Sequence, residues 1–278
     1  MIMSKITDLS GTFTLNNGYE MPYFGLGTFQ AGNGEEVKNS VKYAIDAGYK
    51  LIDTASFYGN EQGVGEGIKE SGVNRDEIFV TTKVWNDDQG FEQALKAYDK
   101  SLEKLDMDYV DLLLIHWPIT GKFKDTWRAF EKIYNEGRVK AIGISNFLEV
   151  HLDQLLPDVK VMPMVNQMEF HPYLIQQSLL DRCAKHNIVY QAWSPIMQGK
   201  VFEIDVLKEI GKKYGKNEVQ VVLRWDLQRG VATIPKSVSK ERIEQNADVF
   251  DFELSDEDMA AINALDHNHR LGFDPMLV

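Results

Sequence analysis

The sequence predicts one (β/α)8 barrel spanning residues 1–278, and three observations lead there. Eight apolar, strand-like runs start roughly 24 to 43 residues apart, the repeat length of a βα unit. No shift in composition between them marks a linker. Three of the runs stop abruptly at ionisable residues, as barrel strands do where they deliver chemistry to the rim. Length alone leaves one or two domains open, because α/β barrels of roughly 250 residues are single domains.

Taken in order, residues 12–22 place Asn17-Gly18 between short alternating segments, a strong hairpin signal. The eight strand-like runs then occupy residues 24–29, 50–55, 78–84, 110–117, 139–146, 163–167, 188–194 and 231–237. Helical stripes separate most of them. Val37, Val41, Ala44 and Ile45 recur at helical spacing and stop before Gly48. Phe91, Leu95, Tyr98, Leu102 and Leu105 form a longer stripe, and Trp127, Phe130, Ile133 and Tyr134 form another that ends at Gly137. An extra helix is expected from about Ser255, with Met259, Ile262 and Leu265 on one face and acidic residues in its first turn. The tail from His267 to Val278 reads as irregular.

Composition narrows the class. The chain is 44% hydrophobic and 26% charged, enough to bury a sizeable core. A formal net charge of −12 disfavours nucleic acid or an anionic membrane as partner, since both would be repelled at long range. Cys183 is the one cysteine and cannot form an intramolecular disulfide, which points to a reducing compartment. The N-terminal segment lacks the apolar core of a signal peptide, and no run approaches the ~20 residues of a membrane span. A soluble, cytoplasmic protein is expected, with a monomer as the default because oligomeric state is not readable.

Four residues at the strand ends carry the chemistry: Asp53 and Tyr58 in the stretch Leu51-Ile52-Asp53-Thr54-Ala55-Ser56-Phe57-Tyr58, Lys83 in Thr82-Lys83-Val84-Trp85, and His116 in Ile115-His116-Trp117-Pro118. Singly, an aspartate at a strand end usually caps or pairs, a tyrosine packs, and a lysine is a solvated end. Jointly they sit where neighbouring barrel strands converge. With their surroundings they resemble the aspartate, tyrosine, lysine and histidine of the aldo-keto reductase family, and the resemblance covers essentially the whole chain. It is most like the bacterial-type branch of glyoxal, methylglyoxal and 2,5-diketo-D-gluconate reductases.

That resemblance implies an NADPH-dependent reduction of small aldehydes, ketones or dicarbonyls, with the N-terminal hairpin covering the bottom of the barrel. Tyr58 would be the general acid, Lys83 would lower its pKa, Asp53 would hold Lys83 charged, and neutral His116 would orient the carbonyl. At ~4 Å and an effective dielectric near 20, a charge pair of this kind interacts by about 4 kcal/mol before desolvation. Cofactor contacts are implied for Asp53 and for Thr28, in Gly25-Leu26-Gly27-Thr28-Phe29. They are also implied for Ser145, for Asn146 and Gln167, whose amides would meet the nicotinamide carboxamide, and for Trp193, Ser194, Pro195 and Ile196, with Trp193 stacked beneath the ring. Ile234-Pro235-Lys236-Ser237, followed by Arg242, Gln245 and Asn246, resembles the segment that grips the adenosine 2′-phosphate. Phe29, Trp85, His116 and Trp117 would face the substrate, and short rim segments imply an open mouth for small carbonyls.

Competing readings are few. A barrel that binds the cofactor without turnover is the alternative function, and NADPH consumption with and without an aldehyde separates the two. A third reading, a barrel enzyme for phosphate-bearing substrates, would bind no nicotinamide cofactor. Gly63-Val64-Gly65-Glu66-Gly67 lacks G-x-G-x-x-G spacing, and Gly143-Ile144-Ser145-Asn146-Phe147 is not G-x-S-x-G. His267 and His269 lack a third ligand, so no metal is expected.

Overall fold

The computed structural model describes residues 6–278. An antiparallel hairpin, β1 (Thr12–Thr14) and β2 (Glu20–Pro22), precedes eight parallel strands. These are β3 (Leu26–Gly27), β4 (Leu51–Asp53), β5 (Phe79–Val84), β6 (Val110–Ile115), β7 (Val139–Ser145), β8 (Val165–Glu169), β9 (Val189–Trp193) and β10 (Ala232–Thr233). Each pairs with its neighbours in chain order, and bridges Phe24 to Thr233 and Gly27 to Lys236 join the last to the first. The ring is therefore closed and has no free edge. The expected first strand over 24–29 is shorter in regular form, because beyond Gly27 the chain turns so that the Thr28 backbone N–H donates to Asp53.

β5 and β6 are buried at every position, which is why they read as continuous apolar runs and not as an alternation. Outside lie α1 (Glu35–Asp46), α2 (Glu61–Ser71), α3 (Phe91–Leu105), α4 (Phe123–Asn135), α5 (Glu149–Leu155), α6 (Gln177–Lys185), α7 (Asp205–Tyr214), α8 (Glu218–Gln228), α9 (Lys240–Ala247) and α10 (Asp256–Asn263). The stripes read from the sequence face inward: Val37, Val41 and Ala44 from α1, Trp127, Phe130 and Ile133 from α4. Ser255 caps α10 by accepting from the Asp258 N–H, and Leu265 lies just beyond its end. No helix among the described residues is long and apolar enough to cross a membrane.

The hairpin seals the N-terminal mouth. Asn16 donates to the Pro163 carbonyl at 2.8 Å and Asn17 to that of Lys140 at 3.0 Å, both close before barrel strands or at their starts. Tyr19 donates its hydroxyl to Asp111 at 2.7 Å, and the same carboxylate holds Arg75 and the Val80 N–H. Gly18 supplies the positive φ of 83° that the turn needs. The polar ends of four strands are thus satisfied from below, and the opposite rim is left for chemistry.

The glycine run 63–67 has a packing role that its spacing did not disclose. It lies on α2, and a Cβ built on Gly65 would stand 2.1 Å from the Leu105 carbonyl oxygen at the end of α3. On Gly63 it would stand 2.4 Å from Val37 of α1, and on Gly67 2.8 Å from the Lys38 carbonyl. Glycine lets α2 approach both neighbours. Gly65→Ala should therefore cost roughly 1–3 kcal/mol of stability, the range for forced overpacking, despite the higher helix propensity of alanine. A denaturation midpoint unchanged or raised in urea would show that the helices have room to separate.

Candidate active site

Register places the chemistry. Gly27 of β3 pairs with Asp53 of β4, which pairs with Thr81 of β5, so Lys83 stands two residues nearer the rim. There the Lys83 Nζ donates to Asp53 Oδ1 at 2.6 Å, to the Thr54 carbonyl at 2.9 Å and to the Tyr58 hydroxyl at 3.3 Å. Its three donors are satisfied by three acceptors. Asp53 Oδ2 accepts from Gln167 Nε2 at 2.8 Å, so neither carboxylate oxygen is left unpaired. Tyr58 rides on a single helical turn, Ser56–Tyr58, whose Ser56 hydroxyl is tied to the Lys83 carbonyl at 2.9 Å. His116 follows β6, with its ring 5.6 Å from that of Tyr58, centroid to centroid.

Burial sets the charges. It opposes the ammonium of Lys83, but Asp53 and Tyr58 outweigh it and raise the lysine above its ordinary value. Burial pushes the Asp53 carboxyl up against the pull of Lys83. At Tyr58 burial also dominates, and Lys83 offsets only part of it, so the phenol lies above 10. The sequence-based expectation of a lowered phenol is reversed in the free protein, because a phenolate there would have to be desolvated. His116 is held well below 6.5, first by burial and then by Lys83, and is neutral. Its Nδ1 is buried without a partner among the described residues.

Amides surround this cluster. Asn146 donates to the His116 carbonyl at 2.9 Å and accepts from Trp193 Nε1 at 2.9 Å, while Ser145 donates to the Gln167 carbonyl at 2.9 Å. Gln167 also donates to Gln191 at 2.8 Å, a partner the sequence did not signal. The Thr28 hydroxyl donates to the Asp53 carbonyl at 2.9 Å. Beyond β9, Ser194 takes a positive φ of 55°, and the turn through Pro195 and Ile196 continues with Met197 at 52° and Gln198 at 55°. Asn146 itself is at 65°, so backbone strain gathers on this rim.

The aromatic wall is partly as expected. Phe29 lies 5.0 Å from the Tyr58 ring and Trp85 lies 5.0 Å from His116. Trp117 is nearly buried and makes no ring contact with them. Phe57 was missed: 51% exposed, it stacks on Trp85 at 3.7 Å. Its position one residue before Tyr58 was the available signal.

The bridge between Gly27 and Lys236 brings the last βα connection to the same rim. Lys236 is half-buried, Arg242 is exposed, and neither forms a salt bridge among the described residues, although the chain carries −12 overall. Ser237 precedes α9, which Ser239 caps through the Arg242 N–H. Gln245 is exposed and Asn246 buried on that helix. Two unpaired cations, a hydroxyl and a helix N-terminus form a donor set suited to a phosphate monoester. A cleft of about 640 Å³ between α2 and α3 is lined by charges of both signs, Glu66 and Lys104 among them, and by none of these rim residues. His267 lies against Tyr173 with its ring tilted, 4.6 Å centroid to centroid, and bonds the Leu265 carbonyl through Nδ1.

Comparison with known proteins identifies the family. The profile of the Aldo/keto reductase family matches residues 23–267, and the chain belongs to that family. It is 57% identical over 269 residues to the glyoxal reductase of Bacillus subtilis (strain 168), covering 97% of this chain and 98% of the relative. Identity is 43% over 265 residues to the methylglyoxal reductase DkgA of Escherichia coli (strain K12), covering 94% and 95%. The crystal structure of a Bombyx mori aldo-keto reductase in complex with NADP superposes with a TM-score of 0.88 at 37% identity, over 93% of this chain and 94% of that one.

A neutral buried His116 has a consequence for stability. Its folded pKa lies below the unfolded value of 6.5, so the unfolded chain binds the extra proton first. The stability it contributes is present above pH 6.5 and is lost as pH falls below that value. His116→Asn should therefore flatten the acid side of the stability profile, the difference from wild type changing by at most about 1.4 kcal/mol per pH unit. Urea unfolding of both proteins between pH 7.5 and 5 measures it, and parallel profiles would show a protonated His116 in the fold.

Proposed function

We propose that the protein is an NADPH-dependent reductase of small aldehydes, ketones and dicarbonyls. The observation that carries this is the Lys83 ammonium, enclosed at the rim and donating to both Asp53 and Tyr58 beside a neutral His116. The bound cofactor supplies the hydride. Trp193 offers a ring face for the nicotinamide, Ser145, Asn146 and Gln167 bring polar groups to its amide, and Lys236, Ser237 and Arg242 hold the 2′-phosphate. His116 donates a ring N–H to the substrate oxygen and orients it. Tyr58 keeps its proton at rest because burial disfavours the phenolate, and releases it when negative charge develops on the substrate oxygen. Lys83 stabilises the phenolate left behind, and Asp53 keeps Lys83 charged through the exchange.

Small substrates suit the rim. The segment after His116 reaches α4 at Phe123, and the one after Trp193 forms the short turns Met197–Glu203 before α7 begins at Asp205. Such segments leave Phe29, Phe57 and Trp85 as an open aromatic wall, suited to an activated small carbonyl more than to a ligand needing enclosure. The glyoxal and methylglyoxal reductases among the relatives support that class.

Tyr58→Phe removes the proton and keeps the ring. Turnover of methylglyoxal with NADPH should fall by roughly 10²–10⁴ while NADPH affinity stays near wild type. Near-full turnover in that variant would sink the acid assignment, and a wild-type protein that binds NADPH without consuming it would be a binding barrel. Arg242→Ala should weaken NADPH by about 1.5–3 kcal/mol and leave NADH nearly unchanged. Equal losses for both cofactors would remove Arg242 from the phosphate site.

A further inference from the structure

Glu169 is a fully buried acid that the mechanism leaves unused. Glu169 ends β8, and its side chain has no exposure. Its Oε1 accepts from His171 Nε2 at 3.0 Å, from the Leu271 N–H at 2.6 Å and from the Gly272 N–H at 3.2 Å. Gly272 lies 3.3 Å from Oε2 as well, and the Arg270 guanidinium is 4.0 Å from that oxygen. Arg270 also donates to Gln176 at 2.7 Å, and Gln176 returns a bond to the Glu169 carbonyl at 3.0 Å. The tail, expected to be irregular and regular only in the single helical turn Pro275–Leu277, is thus strapped to the rim by a buried carboxylate, with bonds of the strong, charge-assisted kind.

The strap ends on Trp193. Glu169 and Trp193 are register partners on β8 and β9. A Cβ built on Gly272 would stand 2.4 Å from Trp193 Cη2 and 3.3 Å from Glu169 Oε2. At the opposite end of the indole, Nε1 donates to Asn146, whose amide also donates to the His116 carbonyl. The ring is therefore held between Asn146 and the Gly272 backbone.

We infer that Glu169 is a positioning residue: by fixing residues 270–272 against the indole, it sets the plane on which the nicotinamide stacks. This rests on the reading of the rim as a nicotinamide site. Only glycine fits at 272, because a side chain there displaces either the ring or the strap. The tail thereby acts on the nicotinamide half of the cofactor and leaves the adenosine half untouched.

The test separates those halves. NADP+ and adenosine 2′,5′-bisphosphate are titrated into wild type, Gly272→Ala and Glu169→Gln, and amide exchange of the C-terminal peptide is followed by mass spectrometry. Gly272→Ala should weaken NADP+ by about three- to tenfold, the worth of an aromatic stack, and leave the bisphosphate unchanged. Glu169→Gln should do the same and accelerate exchange at Leu271 and Gly272. Unchanged NADP+ affinity in Gly272→Ala, or equal losses for both ligands, overturns the inference, as does unaltered exchange in Glu169→Gln. Gly272 lies half-exposed in the tail, so its variant decides the matter even if the buried Glu169→Gln fails to accumulate. A wild-type protein that takes up neither ligand removes the nicotinamide reading and this inference together.

Discussion

The Lys83–Asp53 ion pair, at 2.6 Å with both side chains out of contact with solvent, is the constraint around which the rim is built. Removing two charges from water costs several kcal/mol per ion, and the attraction between them repays that only when every remaining donor and acceptor is matched. Here they are matched: Thr54 and Tyr58 complete the ammonium, and Gln167 completes the carboxylate. Each partner arrives from a different strand end or rim turn, so the pair demands the barrel register and the register delivers the site. Breaking one member would leave an uncompensated charge inside the fold. That dependence explains why chemistry and architecture are hard to separate at this end of the molecule.

The two mouths of the barrel solve opposite problems. At the N-terminal end the hairpin supplies Asn16, Asn17 and Tyr19 to polar groups that would otherwise lack partners, and it brings the buried side chain of Met21 into the core. At the C-terminal end polar groups are left facing a ligand, and the backbone accepts strain to aim them. Gln30, Asn146, Ser194, Met197 and Gln198 all take positive φ just beyond strands of this rim. Strain of this kind persists where the surrounding structure over-determines it. The closed sheet beneath provides that rigidity.

Carbonyl reduction needs a donor that is protonated at rest and acidic in the transition state. Burial and Lys83 act on Tyr58 in opposite senses, and the first prevails in the free protein. On the proposed assignment of Tyr58 as the acid, the lysine tempers the resting phenol only in part and matters most for the charge that develops. His116 is complementary: the same burial that keeps Tyr58 protonated keeps the imidazole neutral and able to donate without carrying charge.

Much of this was legible in the sequence. Strands buried on both faces appear as uninterrupted apolar runs, and the residue at which such a run breaks off is the residue presented at the rim, which is how Asp53, Lys83 and His116 stand out. Helix stripes and the Asn17-Gly18 turn follow from periodicity and local backbone preference. What tertiary structure alone decided are the relations between distant segments. Glu169 is visible as an acid at the end of β8, but the Leu271 and Gly272 N–H groups that it holds lie about a hundred residues downstream in a tail with no periodic signal. The glycines of α2 resemble a failed nucleotide motif until the α3 carbonyl beside Gly65 is seen. The direction of the Tyr58 shift likewise depends on how much water the assembled rim excludes. Pattern in a chain records which faces are buried; it does not record how deeply, or against what, because burial is a property of the packed whole.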